Sequence, residues 1–563
     1  MAASSVLLAF LMAVSGVEIV SPEEGGVYDG NWLTVRAIVE NDDILPDSVS
    51  FVLNGDPSVP VPRLSTDWYT YMADDLHRGF SESPAPMDDT ILWTAPVTGT
   101  HHEFPTPVVV DGMVYYPQDS TGDSLYALDA ATGEVLWKYF TGYTDDAVTV
   151  KDGLLYTSSD SLWCLNAITG ERVWANGQAT SAASTPAVDA DWVYNCRPVW
   201  SSNSTWVYCL DRFTGDVEWS VSVPGYAASC LTIWDGKLYM PTYTGPLYAL
   251  NITDGSVVWQ NDESTGGYWD SSPVIVDGDI YILGNDSYAR AFDASTGAVI
   301  WETAVTPGTY LSATPAYHDG RLYFGDQVDS FHSMDCAAGG YLWSVPGVIH
   351  GSPGVADGVV FFGEGSNYYD ETAHVFAYDI TDGSVIWSYE TTSGPYGIVS
   401  SPSIVDGVMY IAGTDGNLYA FGTGLKYTYL DDLFASVGTN ELIVTSYYGG
   451  SPAAADTITF TVNGTGIEFG PSPGLGLRAA PNPFSSFTSV SFTVASPGMV
   501  SVSVYDMTGR EVASLVSASM EAGKHSVAWD GMTGSGESVS PGIYLCRMES
   551  MSAVETVGLC VLR

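Results

Sequence analysis

Apolar and polar residues alternate along most of the chain in short runs such as Leu125-Tyr126-Ala127-Leu128-Asp129, echoed at Leu247-Tyr248-Ala249-Leu250-Asn251 and Val375-Phe376-Ala377-Tyr378-Asp379. A period of two is the signature of a half-buried β-strand, and helical periodicity is absent beyond the first few residues. Turn signals separate the runs at regular intervals. Asp-Gly pairs stand at Asp111-Gly112, Asp152-Gly153, Asp235-Gly236, Asp277-Gly278, Asp319-Gly320, Asp357-Gly358 and Asp406-Gly407, and Asp189-Ala190-Asp191 departs from the pattern. Both central residues of a type I′ turn need positive φ, so each pair predicts a tight hairpin.

Tryptophans recur at 93, 137, 174, 219, 259, 301, 343 and 387 with gaps of 37 to 45 residues, and a glycine lies four residues before each of the last seven. Each unit therefore reads strand, Asp-Gly hairpin, strand, loop, strand, Thr-Gly-type turn, strand with Trp. A repeat of about 42 residues carrying four strands is a propeller blade. The Trp ring on the outer strand is expected to fill the gap between neighbouring sheets. The last unit, from Pro402 to Phe421, has no Trp strand, whereas Thr90-Ile91-Leu92-Trp93 precedes the first complete unit. Donating that orphan strand to the last unit removes both sheet edges and predicts eight blades closed as one strand plus three.

The repeated Ala127-x-Asp129-x-x-Thr132-Gly133-x-x-x-Trp137 resembles the PQQ-like (quinoprotein alcohol dehydrogenase-like) propellers, as does the lead-in from Asp67 to Ser81. The resemblance covers about Asp67 to Phe421. It implies the fold and, under one reading of function, PQQ held over Ca²⁺ at the propeller axis for oxidation of alcohols or sugars.

The flanks also read as strands. Residues 17–65 look like the opening strands of an Ig-like sandwich and 425–466 like its closing strands, so the propeller, 66–424, is expected to interrupt one Ig-like domain; two separate small modules are the alternative. After a Gly/Pro-rich linker, 467–478, the tail 479–563 carries Ala480-Pro481-Asn482-Pro483-Phe484, Val502-Ser503-Val504-Tyr505-Asp506, Trp529-Asp530-Gly531 and Pro541-Gly542-Ile543-Tyr544. These resemble the C-terminal β-sandwich sorting domain of bacterial type IX secretion substrates, related in fold to the flagellar hook-capping Ig-like domain. The resemblance implies delivery to or beyond the outer surface of a bacterium through that machinery. The fold class expected is all-β, an eight-bladed propeller with flanking Ig-like β-sandwich domains.

Charge narrows the partners. The chain has 66 acidic and 17 basic residues, a formal net charge of −49, and this surface repels phosphate backbones and anionic lipid. Nucleic acid is therefore not an expected partner. Residues 1–16 contain the apolar run Val6 to Val14 followed by Ser15-Gly16, which fits a signal peptide and is too short to span a bilayer. No other segment reads as transmembrane. Seven cysteines leave at least one without an intrachain disulfide. Cys196 with Cys209, and Cys546 with Cys560, sit symmetrically about presumed turns and are candidate cross-strand disulfides, with small buried thiols as the alternative.

Catalytic signatures are missing from the sequence. The histidines show no metal-ligand spacing, the Asp-rich loops lack EF-hand spacing, and no adjacent cysteines or recognisable calcium set accompany the quinoprotein repeats. No catalytic or metal residue and no cofactor is expected, PQQ with calcium entering only under the dehydrogenase reading. One pattern suggests binding. His102, Tyr143, Tyr226, Tyr268 and Tyr310 occupy equivalent loop positions, with Trp269, His350 and Tyr396 close by, and they could form an axial aromatic ring that stacks on sugars or planar ligands. Asp145, Asp146 and Asp270 would add polar contacts. The alternative is that the rings wedge between blades. The sequence thus favours a secreted or cell-surface, non-catalytic propeller binding a glycan, peptide or protein, with a quinoprotein dehydrogenase and a structural scaffold as the alternatives.

Overall fold

In a computed structural model, the described residues are 14–21, 27–29, 32–41, 48–53, 56–57, most of 65–434, and the strands between 438 and 561. Within 65–434 the description omits 98–105, 119–123, 143–146, 182–183, 228, 244–245, 262–266, 269, 307–310, 327, 329, 348, 366–372, 392–396 and 399. The N-terminal 13 residues, the bulk of the expected signal peptide, also lie outside the described residues, and Val14–Ser21 begins the first strand. None of the described helices is long and apolar enough to cross a membrane.

Residues 91–421 form eight successive sheets of antiparallel strands. Blades 1 to 7 span 108–140, 149–176, 187–224, 232–261, 274–304, 316–346 and 354–391. Blade 8 is closed as the repeat predicts: 403–421 supplies three strands, and Ile91–Pro96 pairs antiparallel with Asn417–Phe421. The seven Asp-Gly turns have the expected backbone, with φ of 45° to 52° at Asp and 69° to 91° at Gly. Blade 3 manages without the glycine because the Asp189 carboxylate accepts the N–H groups of Asp191 (2.9 Å) and Trp192 (2.8 Å), a side-chain substitute for the turn.

The tryptophans do more than fill space. Each indole Nε1–H donates to a backbone carbonyl of the next blade: Trp93 to Ala130 (2.9 Å), Trp137 to Ala167 (3.0 Å), Trp174 to Arg212 (2.9 Å) and Trp219 to Ile252 (3.2 Å). The series continues with Trp259 to Ala294 (3.0 Å), Trp301 to Cys336 (2.7 Å), Trp343 to Ile380 (3.1 Å) and Trp387 to Pro86 (2.8 Å). Tyrosines on the second strand reinforce five of these carbonyls, for example Tyr239 to Ala294 at 3.0 Å and Tyr156 to Arg212 at 3.1 Å. The glycine four residues before each of the last seven tryptophans is the socket for the ring of the preceding blade. A Cβ built on Gly133, Gly170, Gly215, Gly255, Gly297, Gly339 or Gly383 would lie 2.5 to 2.8 Å from that ring. Trp93 has no such glycine before it because the eighth suture, Trp387 to Pro86, is made by the chain entering the orphan strand.

The flanks supply paired strands. Ser48–Leu53 pairs antiparallel with Gly438–Tyr448, placing Phe51 opposite Val444, and Trp32–Asn41 lies between Val14–Ser21 and Leu425–Phe434. Val35, Ala37, Val49, Phe51, Leu442 and Val444 are buried, as their alternation requires.

The C-terminal region, taken by itself, is a two-sheet sandwich. One sheet holds Arg478–Ala480, Thr488–Val494 and Gly523–Trp529; the other orders Glu511–Met520, Gly498–Tyr505, Gly542–Ser550 and Val554–Val561. Val490, Phe492, Val500, Val502, Val504, Trp529 and Met548 form its core.

Neither expected disulfide forms. Cys196 lies opposite Val207 and Cys209 opposite Tyr194, because the hairpin is centred one residue earlier than symmetry about the cysteines requires, which shifts each partner by two. Both thiols are buried in one cluster without a bond between them. Cys546 likewise faces Val557, while Cys560 faces Ile543, a three-residue offset that puts the two positions on opposite faces of the ladder. Cys546 is a buried thiol in the sandwich core.

The propeller axis and a candidate binding face

The residues before the orphan strand line the axis. From Thr66 to Ser83 the chain passes along the innermost strands, exchanging hydrogen bonds with seven of the eight blades. Trp68 and Val109 pair in both directions (2.8 and 2.9 Å), Val150 N–H donates to Tyr69 O (2.8 Å), and Ile275 N–H donates to Leu76 O (3.2 Å). Tyr317 N–H reaches Arg78 O (2.7 Å), Val355 N–H reaches Gly79 O (2.8 Å), and Gly407 N–H reaches Ser83 Oγ (2.8 Å). Blade 4 joins through Thr232 Oγ1 and His77 Nδ1 at 3.1 Å. His77 is buried, and that burial pushes its imidazole down to about 4, so it is neutral at pH 7.

A belt of hydroxyls surrounds this segment. Five residues before the Asp of the turn, Cys230 N–H donates to Ser272 Oγ (3.1 Å), Ser272 N–H to Thr314 Oγ1 (2.8 Å), Thr314 N–H to Ser352 Oγ (2.8 Å) and Ser352 N–H to Ser401 Oγ (3.0 Å). Tyr71 extends into the belt, its hydroxyl 3.2 Å from Thr314 Oγ1 and 2.8 Å from Ser352 Oγ. These residues belong to no motif of known chemistry. Their signal is the recurrent Ser/Thr-Pro pair at Thr106-Pro107, Thr185-Pro186, Ser272-Pro273, Thr314-Pro315, Ser352-Pro353 and Ser401-Pro402.

The described part of the axis supplies no carboxylate set of the kind a quinone held over Ca²⁺ requires. The residues of the belt are small hydroxyls spent on one another and on the Tyr71 phenol, whereas Ca²⁺ takes six to eight oxygen ligands, carboxylates among them. Among the described residues, no group of three His, Cys, Asp or Glu side chains is placed to hold a metal.

The aromatic residues expected to ring the axis separate into different roles. Tyr268 is fully buried in a cluster with Tyr239 and Leu247 of blade 4 and Ile280 and Phe292 of blade 5. It is an interblade wedge, which corrects its assignment as a ligand-stacking ring. Tyr226 is half-buried and meets the exposed Trp200 edge to face at 4.8 Å. His102, Tyr143, Trp269, Tyr310, Asp145, Asp146 and Tyr396 lie outside the described residues. His350 is largely buried, which lowers its pKa.

One line of chemistry-bearing groups escaped the sequence because three strands assemble it. Ser344 Oγ lies 2.8 Å from His332 Nδ1, and His332 Nε2 lies 3.5 Å from the Asp326 carboxylate. Geometry argues for structure here. Asp326 is fully buried, accepts from Val328 N–H (3.1 Å), Ser330 N–H (2.8 Å) and Thr306 Oγ1 (2.8 Å), and so closes its own loop. The imidazole packs against the rings of Phe324 at 5.4 Å and Tyr341 at 5.2 Å. The described depressions lie elsewhere, as grooves of about 410 and 430 Å³ between blades at the Asp-Gly rim, lined by residues such as Asp319, Arg321 and Asp357.

A family model described as Outer membrane protein assembly factor BamB matches residues 84–197, 159–309 and 285–424, together more than half of the chain. The chain belongs to that family. In this BamB-type propeller the matched stretches cover every blade. A second model, the FlgD Ig-like domain, matches residues 485–553 in the C-terminal sandwich. Among solved structures the chain is similar to the quinohemoprotein alcohol dehydrogenase of Comamonas testosteroni at 16 % identity, covering 66 % of this chain and 82 % of that one with a TM-score of 0.52. A europium-containing methanol dehydrogenase matches at 13 % identity over 64 % of this chain and 98 % of that one, with a TM-score of 0.54. Quinohemoprotein alcohol dehydrogenase ADHIIG of Pseudomonas putida HK5 matches at 15 % identity over 75 % and 83 %, with a TM-score of 0.52. At these identities the likeness is one of fold. No curated protein matches the chain.

Proposed function

We propose that this BamB-type propeller is an exported, non-catalytic binding module of a bacterial surface, taking a glycan, peptide or protein, with the C-terminal sandwich acting as its sorting element. The observation that carries the reading is the bonding of segment 66–83 to the innermost strands. Tyr71 and the chain around it engage the innermost strands, the phenol hydrogen-bonded to Thr314 and Ser352, and the described residues include no group of three His, Cys, Asp or Glu placed to hold a metal. The strongly acidic composition supports an exposed, self-repelling surface, and family membership supports a role in holding partners rather than transforming them. A structural scaffold is the limiting case of the same reading.

The test is a titration of the purified full chain with PQQ and Ca²⁺, followed by dye reduction with alcohols and aldoses. The expected result is no saturable change in tryptophan fluorescence and no turnover. Stoichiometric PQQ binding with dye reduction overturns the proposal.

A further inference from the structure

Blade 3 differs from its neighbours. Its middle strands, Trp192–Val199 and Ser204–Asp211, are eight residues each, against four to seven in the equivalent strands of other blades. The extra length carries a hairpin tip, Trp200–Ser202, closed by Asn203 in the left-handed conformation at φ 45°. The Trp200 side chain at this tip is 66 % exposed, so a large apolar surface faces water.

The tip is held firmly over blade 4. Gly225 N–H donates to Asn203 O (2.9 Å), Thr205 Oγ1 donates to Gly225 O (2.8 Å), and Ala227 N–H donates to Thr205 Oγ1 (2.8 Å). Tyr243 N–H donates to Tyr226 O (2.7 Å), and Gly225 packs so closely that a Cβ there would lie 2.9 Å from Thr242. These bonds fix three aromatic rings. Trp200 meets Tyr226 edge to face at 4.8 Å and lies within 26° of parallel to Tyr243 at 6.3 Å. Exposed Ser201, Ser202 and Asn203 rim the group.

Charge selects the ligand. Residues 198–206, 225–234 and 238–251, the three segments that build this place, contain no charged side chain in a protein of net charge −49. These segments offer a charged partner no counter-charge of their own. A neutral pyranose ring suits the place on both counts. Its C–H face stacks on an exposed indole, and its hydroxyls pair with serine and asparagine at the rim.

We propose that Trp200, Tyr226 and Tyr243 form a carbohydrate-stacking platform for a neutral pyranose polymer. This rests on the reading of the chain as a binding propeller. The test uses the full chain in affinity electrophoresis and calorimetry against laminarin, glucomannan, xylan and soluble starch. Wild type should be retarded by at least one probe. Trp200→Ala should weaken that binding at least tenfold, about 1.4 kcal/mol, with Trp200→Phe staying within about threefold of wild type. Tyr243→Ala should weaken it as well, and Phe140→Ala, which removes an equally exposed ring on blade 1, should leave it unchanged. Retardation by none of the four probes, or equal binding by Trp200→Ala, overturns the platform. Saturable binding of a proline-rich peptide that Trp200→Ala abolishes, with no sugar bound, also overturns it while sparing the binding-propeller reading. PQQ-dependent turnover would sink the broader reading whatever the sugars do.

Discussion

The glycine sockets make a quantitative claim about what holds the ring together. Gly215 has φ of +74°, and a Cβ there would fall 2.6 Å from Cδ2 and Cε3 of Trp174. Gly153 has the same φ of +74°, but its Cβ would meet nothing within 4 Å. Alanine at either position therefore carries the same backbone penalty, about 1–2 kcal/mol for a left-handed residue with a side chain. Only Gly215→Ala must also displace a rigid indole, at roughly 1–3 kcal/mol for overpacking. Displacement breaks the 2.9 Å bond from Trp174 Nε1 to Arg212 O, and the indole is buried to 8 % exposure, which adds about 1–3 kcal/mol for an unpaired buried donor. Gly215→Ala should thus cost at least about 2 kcal/mol more than Gly153→Ala, read from urea unfolding curves. In a Trp174→Leu background the obstructing ring is gone, so Gly215→Ala should fall to the cost of Gly153→Ala. Equal costs for the two single variants, or full additivity with Trp174→Leu, would refute the socket.

Three further outcomes follow from the axis and the core. His77 is held neutral by burial down to about pH 4, so its contribution is complete above the ordinary imidazole pKa and drains away as pH falls from about 6.5 toward 4, by about 3 kcal/mol; the wild-type-minus-His77→Gln difference in stability should shrink over that window, and a flat difference contradicts the buried site. Thr314→Val removes the acceptor of the Ser272 N–H while Tyr71 keeps Ser352, a loss of about 1–3 kcal/mol with faster exchange of the Ser272 amide; unchanged exchange would argue against the belt. Burial pushes the thiols of Cys164, Cys209, Cys336 and Cys546 up to about 12, so they should resist iodoacetamide until urea unfolds the chain, and modification of Cys209 in the native protein would show that its site is open.

What the sequence disclosed and what it hid divide along one physical line. The blades were legible because each depends on contacts a few residues apart: Asp111-Gly112 turns wherever it stands, and Leu125 to Asp129 buries one face in any sheet. Blade-to-blade contacts repeat with the same period, so the tryptophans were legible as interblade residues, but the role of their glycines as sockets needed the neighbouring ring in place. Register was less forgiving. Symmetry about Ser201-Ser202-Asn203-Ser204 paired Cys196 with Cys209, yet the left-handed residue that closes the tip is Asn203, and the ladder is centred earlier. Equivalent position also failed to give equivalent role. Tyr226 and Tyr268 occupy the same place in successive repeats, but the long hairpin of blade 3 reaches over Tyr226 and supplies Trp200, whereas Tyr268 is enclosed by blades 4 and 5. A repeat reports what its copies share. Ligand selection belongs to the places where one copy departs, and in this chain the largest described departure is the hairpin that carries the exposed indole.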